Sequence, residues 1–119
     1  NKTGLARYKE IDNEQFVKLL KYMQKNFQKK LYLKNLAKKF GLHPNYCCRL
    51  FSSYLDNSFS EYLTNIRIRE AKKLLMDREI SIEEVGIRVG YPDYYYFNKV
   101  FKKNIGVTPS KYRKKHLLT

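Results

Sequence analysis

The side chains in this sequence that could do chemistry are mostly cations. Lys and Arg number 25 against 11 Asp and Glu, a formal net charge of +14 over 119 residues. A field of that sign attracts polyanions, either nucleic acid or an anionic membrane surface. The groups that catalysis or metal binding needs fall into no pattern. His43 and His116 are the only histidines, Cys47 and Cys48 the only cysteines, and no spacing among them and the carboxylates matches a zinc set. There is no nucleophile with a base and an orienting group, no glycine-rich phosphate loop and no paired carboxylate in an apolar setting. The expectation is therefore no enzyme, no metal and no cofactor. Asp77, Glu79, Glu83 and Glu84 cluster where acidic residues favour a helix N-terminus.

Cys47 and Cys48 are neighbours, and Cα atoms about 3.8 Å apart are too close for ordinary disulfide geometry. Cys47 reads as a small buried apolar group, and a reducing, cytoplasmic compartment is expected. No run approaches the roughly 18 apolar residues of a membrane span, and no apolar signal stretch opens the chain. No membrane partner is expected. Asn1 stands where a complete chain would start with Met, which points to a piece of a longer protein.

The elements that must carry these cations are helical. Phe16, Leu19, Leu20, Met23 and Phe27 form one stripe on a helix over about 13–28, with Asp12 and Gln15 expected as its capping box. Residues 1–11 show no pattern and read as a lead-in. A short helix is expected over 33–40, stopped by Gly41, and another from Pro44 to about Tyr54. Ser58 and Glu61 make a capping box for a longer helix over 59–76, with Phe59, Tyr62, Leu63, Ile66, Ala71, Leu74 and Leu75 mostly on one face. Ser81 with Glu84 opens a short helix to Val89, before Gly90. Asp93 caps a helix to about Asn104, which Gly106 ends, and Thr108–Pro109 begins the last.

The strongest internal signal is self-similarity. Residues 31–41 align with 80–90 at an offset of 49, and Arg49-Leu-Phe51 with Lys99-Val-Phe101 after one further residue. Ser58-Phe-Ser-Glu-Tyr62 then matches Thr108-Pro-Ser-Lys-Tyr112. Each copy reads as helix, glycine-bearing turn, helix, with Leu36/Val85, Phe40/Val89, Leu50/Val100 and Phe51/Phe101 as a small shared core. In that arrangement the second helix lies in the major groove, its early residues at base edges.

Leu33–Phe51, Ser-Glu-Tyr-Leu at 60–63, Ile66-Arg-Ile68 with Ala71 and Leu74-Leu75, and Val89-Gly-Tyr91 through Thr-Pro-Ser-Lys-Tyr-Arg113 resemble the AraC/XylS DNA-binding domain over about residues 30–115. The resemblance implies an all-α fold of about seven helices, two helix-turn-helix subdomains at 12–57 and 77–119, and a linker helix over 58–76. It implies that the two recognition helices enter successive major grooves on one face of bent double-stranded DNA. A linker of some 18 residues is about 27 Å long, and the flanking helix widths bring the readers near one DNA turn, about 34 Å.

Carried over from the resemblance, the base-contacting positions fall on Asn45, Cys48 and Arg49 in the first copy and on Tyr94, Tyr95, Asn98 and Lys99 in the second. Their chemistry suits base readout, since Asn pairs with adenine, Arg and Lys with guanine, and a thiol can touch a thymine methyl. Phosphate contacts are expected from Lys30, Tyr32, Lys34, Tyr96, Lys102, Lys103, Lys111 and Arg113. Tyr46, Tyr62 and Tyr112 read as core, and Lys114 and Lys115 as a solvated end. The expected role is regulation of transcription at a promoter, with RNA polymerase a candidate partner and a sensor or receiver domain preceding this stretch. The alternatives are the DNA-binding fragment of a recombinase or transposase, and a basic helical module for RNA.

Overall fold

The computed structural model describes residues 11–117, so the expected lead-in lies, except for Ile11, outside the described residues. Among them every regular element is helical: α1 (Glu14–Asn26), α2 (Leu33–Lys39), α3 (Pro44–Leu50), a π-helical turn (Phe51–Leu55), α4 (Phe59–Leu75), α5 (Ile82–Val89), α6 (Tyr94–Ile105) and α7 (Pro109–Leu117). The fold is all-α, with two helix-turn-helix subdomains. The chain divides into two compact units between Thr64 and Asn65, inside α4. The helix expected to be a separate linker is thus shared: Tyr62 packs on Phe51 of the first unit, while the Leu75 carbonyl and Arg67 are tied to residues of the second.

In the first unit the stripe on α1 is fully buried at Phe16, Leu19, Leu20 and Met23. Asn13, and not Asp12, caps this helix, its Oδ1 accepting from the Phe16 N–H at 2.9 Å. Two neighbouring residues could have capped it; starting one residue later leaves the Asp12 N–H to the Tyr54 hydroxyl and Gln15 to donate to the Phe40 carbonyl. Phe51 is the hub, with ring centroids 5.0 Å from Phe16, 5.9 Å from Phe59 and 5.6 Å from Tyr62. Truncating such a residue to Ala costs about 3–5 kcal/mol. The expected helix from Pro44 to Tyr54 is regular only to Leu50; the wider π turn that follows keeps Phe51 and Leu55 both inward.

The second unit repeats the plan. Phe101 lies 5.5 Å from Tyr112, as Phe51 lies from Tyr62 fifty residues earlier. Leu42 N–H donates to the Ala37 carbonyl at 2.8 Å, and Tyr91 N–H to the Gly86 carbonyl at 2.7 Å, the same bond at the offset of 49. Gly41 and Gly90 both turn left-handed, at φ +72° and +104°. Asp56 and Gly106, fifty apart, do so again, at φ +52° and +98°. The interior pairs differ in a compensating way. Ala37 and Cys47 are buried in the first unit; their counterparts are Gly86 and Phe97, a smaller residue facing a larger one. Of the predicted shared core, Phe40 and Val100 are only half-buried; Phe40 turns its ring edge to Tyr22 instead.

The remaining caps follow the sequence closely. Ser58 and Glu61 exchange both bonds of a capping box, at 2.8 and 3.0 Å. Ser81 accepts from Glu84 N–H, but the Glu84 carboxylate pairs with Arg88 at 3.0 Å, so that box is half made. Asp93 and Thr108 accept from Tyr96 and Lys111 N–H groups at the starts of α6 and α7.

Candidate nucleic-acid interface

Helix α3 is set by its two ends and its buried side. The left-handed Gly41 turns the chain, Pro44 stands at the first helical position and His43 Nδ1 accepts from the Asn45 N–H at 3.1 Å. Cys47 and Leu50 face inward. Asn45, Cys48 and Arg49, spaced i, i+3 and i+4, are all exposed on the opposite side. A donor-acceptor amide, a thiol and a guanidinium thus share one solvent-facing stripe.

Tyr46, expected in the core, is 38% exposed. Its hydroxyl accepts from Asn13 Nδ2 at 3.3 Å, and the Arg49 guanidinium lies 5.6 Å from its ring centroid. The ring is therefore a platform that steadies the Arg49 guanidinium. The i, i+3 spacing of Tyr46 and Arg49 was the signal available for it. Tyr62 is buried as expected, and Tyr112 is half-buried between Phe101 and His116. Burial, followed by the adjacent Cys48, pushes the Cys47 thiol up from its ordinary value, which holds it neutral and unreactive.

Helix α6 is held by fully buried Phe97 and Phe101. Its outer side carries Tyr95 and Lys99, four residues apart, followed by Lys102 and Lys103, all exposed. Tyr95 is 82% exposed, with Tyr94 edge-on to it at 5.4 Å. Asn98 is half-buried, and its Nδ2 donates to the Tyr94 carbonyl at 2.9 Å, which commits one of its two N–H donors. Tyr96 is exposed, its ring against Tyr91.

The flanking residues expected at phosphates divide into two groups. Lys30, Tyr32 and Lys34 stand exposed around the start of α2, and Lys111 on the first turn of α7. Arg113 differs from the expectation of a phosphate contact. Its Nε donates to the Leu75 carbonyl at 2.7 Å, and its Nη2 to the carbonyls of Asp77 at 2.9 Å and Ile80 at 2.6 Å. Carbonyls at and beyond the end of α4 accept from this planar fork, so Arg113 joins α7 to the α4–α5 connection. Among the described residues no group of His, Cys and carboxylates could hold a metal, and no helix is long and apolar enough to cross a membrane.

Each unit thus presents the second helix of a helix-turn-helix outward, polar and cationic, and the protein is of the tandem helix-turn-helix class. The family described as "Helix-turn-helix domain" matches residues 36–115. The chain belongs to the AraC/XylS family of helix-turn-helix domains. It is 34% identical over 91 residues to the HTH-type transcriptional regulator YpdC of Escherichia coli K12, covering 76% of this chain and 32% of YpdC. It is 33% identical over 101 residues to the raffinose operon transcriptional regulatory protein RafR of Pediococcus pentosaceus, covering 85% of this chain and 36% of RafR. Among solved structures, the C-terminal domain of AraT, a response regulator from Geobacillus stearothermophilus, superposes with a TM-score of 0.82 at 36% identity, covering 87% of this chain and 86% of that one. The chain spans about a third of the length of these two curated relatives.

Proposed function

We propose that this domain reads double-stranded DNA by sequence and so regulates transcription, with α3 and α6 entering successive major grooves. The observation that supports it best is the doubled surface. In two units of matching backbone, the helix after the turn buries an apolar side and exposes a polar, cationic one. On this reading Arg49, steadied by Tyr46, pairs with a guanine, Asn45 with an adenine, and Cys48 touches a thymine methyl. Tyr95 and Lys99, both exposed, meet bases from the second unit, with Tyr94 and Asn98 beside them. Lys30, Tyr32, Lys34, Tyr96, Lys102, Lys103 and Lys111 hold phosphates. The names of the relatives support a role in transcription. Their greater length supports a place in a longer regulator, with a ligand-sensing or phospho-receiver domain; RNA polymerase is the further partner this reading implies.

Fluorescence anisotropy with a duplex selected from random DNA tests the reading. The selected duplex should outcompete random duplex by about 10³-fold or more, and single-stranded RNA should compete no better than random DNA. Affinity should fall about 10³–10⁵-fold between roughly 50 and 200 mM salt if six to ten phosphates are engaged. Equal competition by every duplex would remove the specificity.

A further inference from the structure

We propose that the first unit carries, apart from its reader helix, a docking groove for an acidic segment of another protein that inserts an apolar side chain. The groove is lined by residues of α1 and by Phe40, with no residue of α3. Its floor is aromatic: Tyr22 and Phe40 are both half-buried, ring centroids 5.8 Å apart and edge to face. Lys18, Lys21 and Lys25, at i, i+3 and i+7 on α1, line it with their stems. Lys39 adds a fourth cation, its Nζ 5.2 Å from the Tyr22 centroid and 5.9 Å from that of Phe40.

Two features select the occupant. The first is charge. Between Glu14 and Asp56 the sequence holds Lys18, Lys21, Lys25, Lys29, Lys30, Lys34, Lys38, Lys39 and Arg49 and not one Asp or Glu. The run of sequence that lines the groove is thus cationic throughout, and a partner's carboxylates are its electrostatic complement. The second is the apolar floor. Phosphate contacts in protein–DNA interfaces are made by donors at the tips of side chains and need no aromatic base. A protein segment with a central apolar anchor and a polar rim does use one. A second copy of this chain, itself strongly cationic, would be repelled.

The test is a titration of the isotopically labelled domain, followed by two-dimensional NMR, with a short acetylated peptide of Asp, Glu, Leu and Phe. A control peptide carries Lys in place of each carboxylate. Further arms use random duplex DNA and vesicles of phosphatidylglycerol mixed with phosphatidylcholine. The acidic peptide is expected to shift the resonances of Tyr22, Lys25 and Phe40 while leaving Asn45, Cys48 and Arg49 in place. Lys18→Glu/Lys25→Glu, at two exposed positions that leave the core intact, should weaken that peptide about tenfold with an unchanged far-ultraviolet spectrum. Equal shifts from both peptides, no shift at Tyr22 and Phe40, or larger shifts there from duplex or vesicles than from the acidic peptide would each overturn the proposal.

Discussion

Gly86→Ala sets two effects of opposite sign against each other. Inside a helix Ala is favoured over Gly by about 1 kcal/mol. Against that gain, a Cβ added at Gly86 would stand 2.9 Å from Phe97 Cδ2, 3.0 Å from its Cγ and 2.9 Å from the Tyr91 carbonyl oxygen. Carbon atoms pack best at about 3.5–4.0 Å, so α5 would have to retreat by roughly half an ångström. It cannot do so freely. The Phe97 ring is fully buried, and the Tyr91 residue that supplies the carbonyl is held by its own N–H to Gly86 at 2.7 Å. Overpacking of this kind costs about 1–3 kcal/mol, and with no flexible tip to yield the upper half of that range applies. The net loss is then about 1–2 kcal/mol, a fall in Tm of roughly 4–8 °C for a domain of this size. Thermal melting followed by circular dichroism reads the Tm, and amide hydrogen exchange should localise the loosening to α5 and α6. The counterpart Ala37→Gly in the first unit should also destabilise, by about 1 kcal/mol, through helix propensity. A Gly86→Ala protein melting at or above the parent would show that propensity prevails and that close approach of α5 to α6 is not limiting.

Arg113→Ala should cost about 2 kcal/mol by chemical denaturation, because three carbonyls lose a charged donor while part of the site stays open to water. Arg113→Lys should recover less than half of that, since an ammonium cannot reproduce the fork, and an unchanged midpoint in Arg113→Ala would count against the capping role. Asp56→Gly should stabilise by about 0.5 kcal/mol, as glycine accepts the left-handed backbone at φ +52° without strain; a destabilised variant would place a side-chain contact above the backbone preference. In the folded protein a thiol reagent at neutral pH should modify Cys48 alone, and in denaturant both cysteines; rapid double labelling of the native state would contradict the burial that raises the Cys47 thiol.

What could be read from the sequence was what local chemistry decides. The caps at Ser58, Asp93 and Thr108 and the left-handed turns at Gly41, Gly90 and Gly106 follow from side-chain oxygens and from the missing Cβ. The doubled motif was legible because both copies must bury the same hub, Phe51 or Phe101, against the same tyrosine. What escaped depends on residues far apart in the chain. Arg113 looks like one more cation in a basic tail, and only its carbonyl partners 33 to 38 residues earlier make it structural. Tyr46 reads as core until Asn13 and Arg49 are seen to claim its hydroxyl and its ring. Asp12 and Asn13 are both able caps by side-chain chemistry, and it is Asn13 that accepts from the Phe16 N–H. Asp56 lacks the glycine that would have announced its turn.

The proposal that α3 and α6 read successive major grooves is tested most directly by selecting bound duplexes from random DNA with the parent, Arg49→Ala and Lys99→Ala proteins. Two short preferred blocks centred about 10–10.5 base pairs apart are expected from the parent. Each substitution should relax one position in one block, at about 1–3 kcal/mol. A single block, blocks at variable spacing, or uniform weakening across all sequences would contradict it.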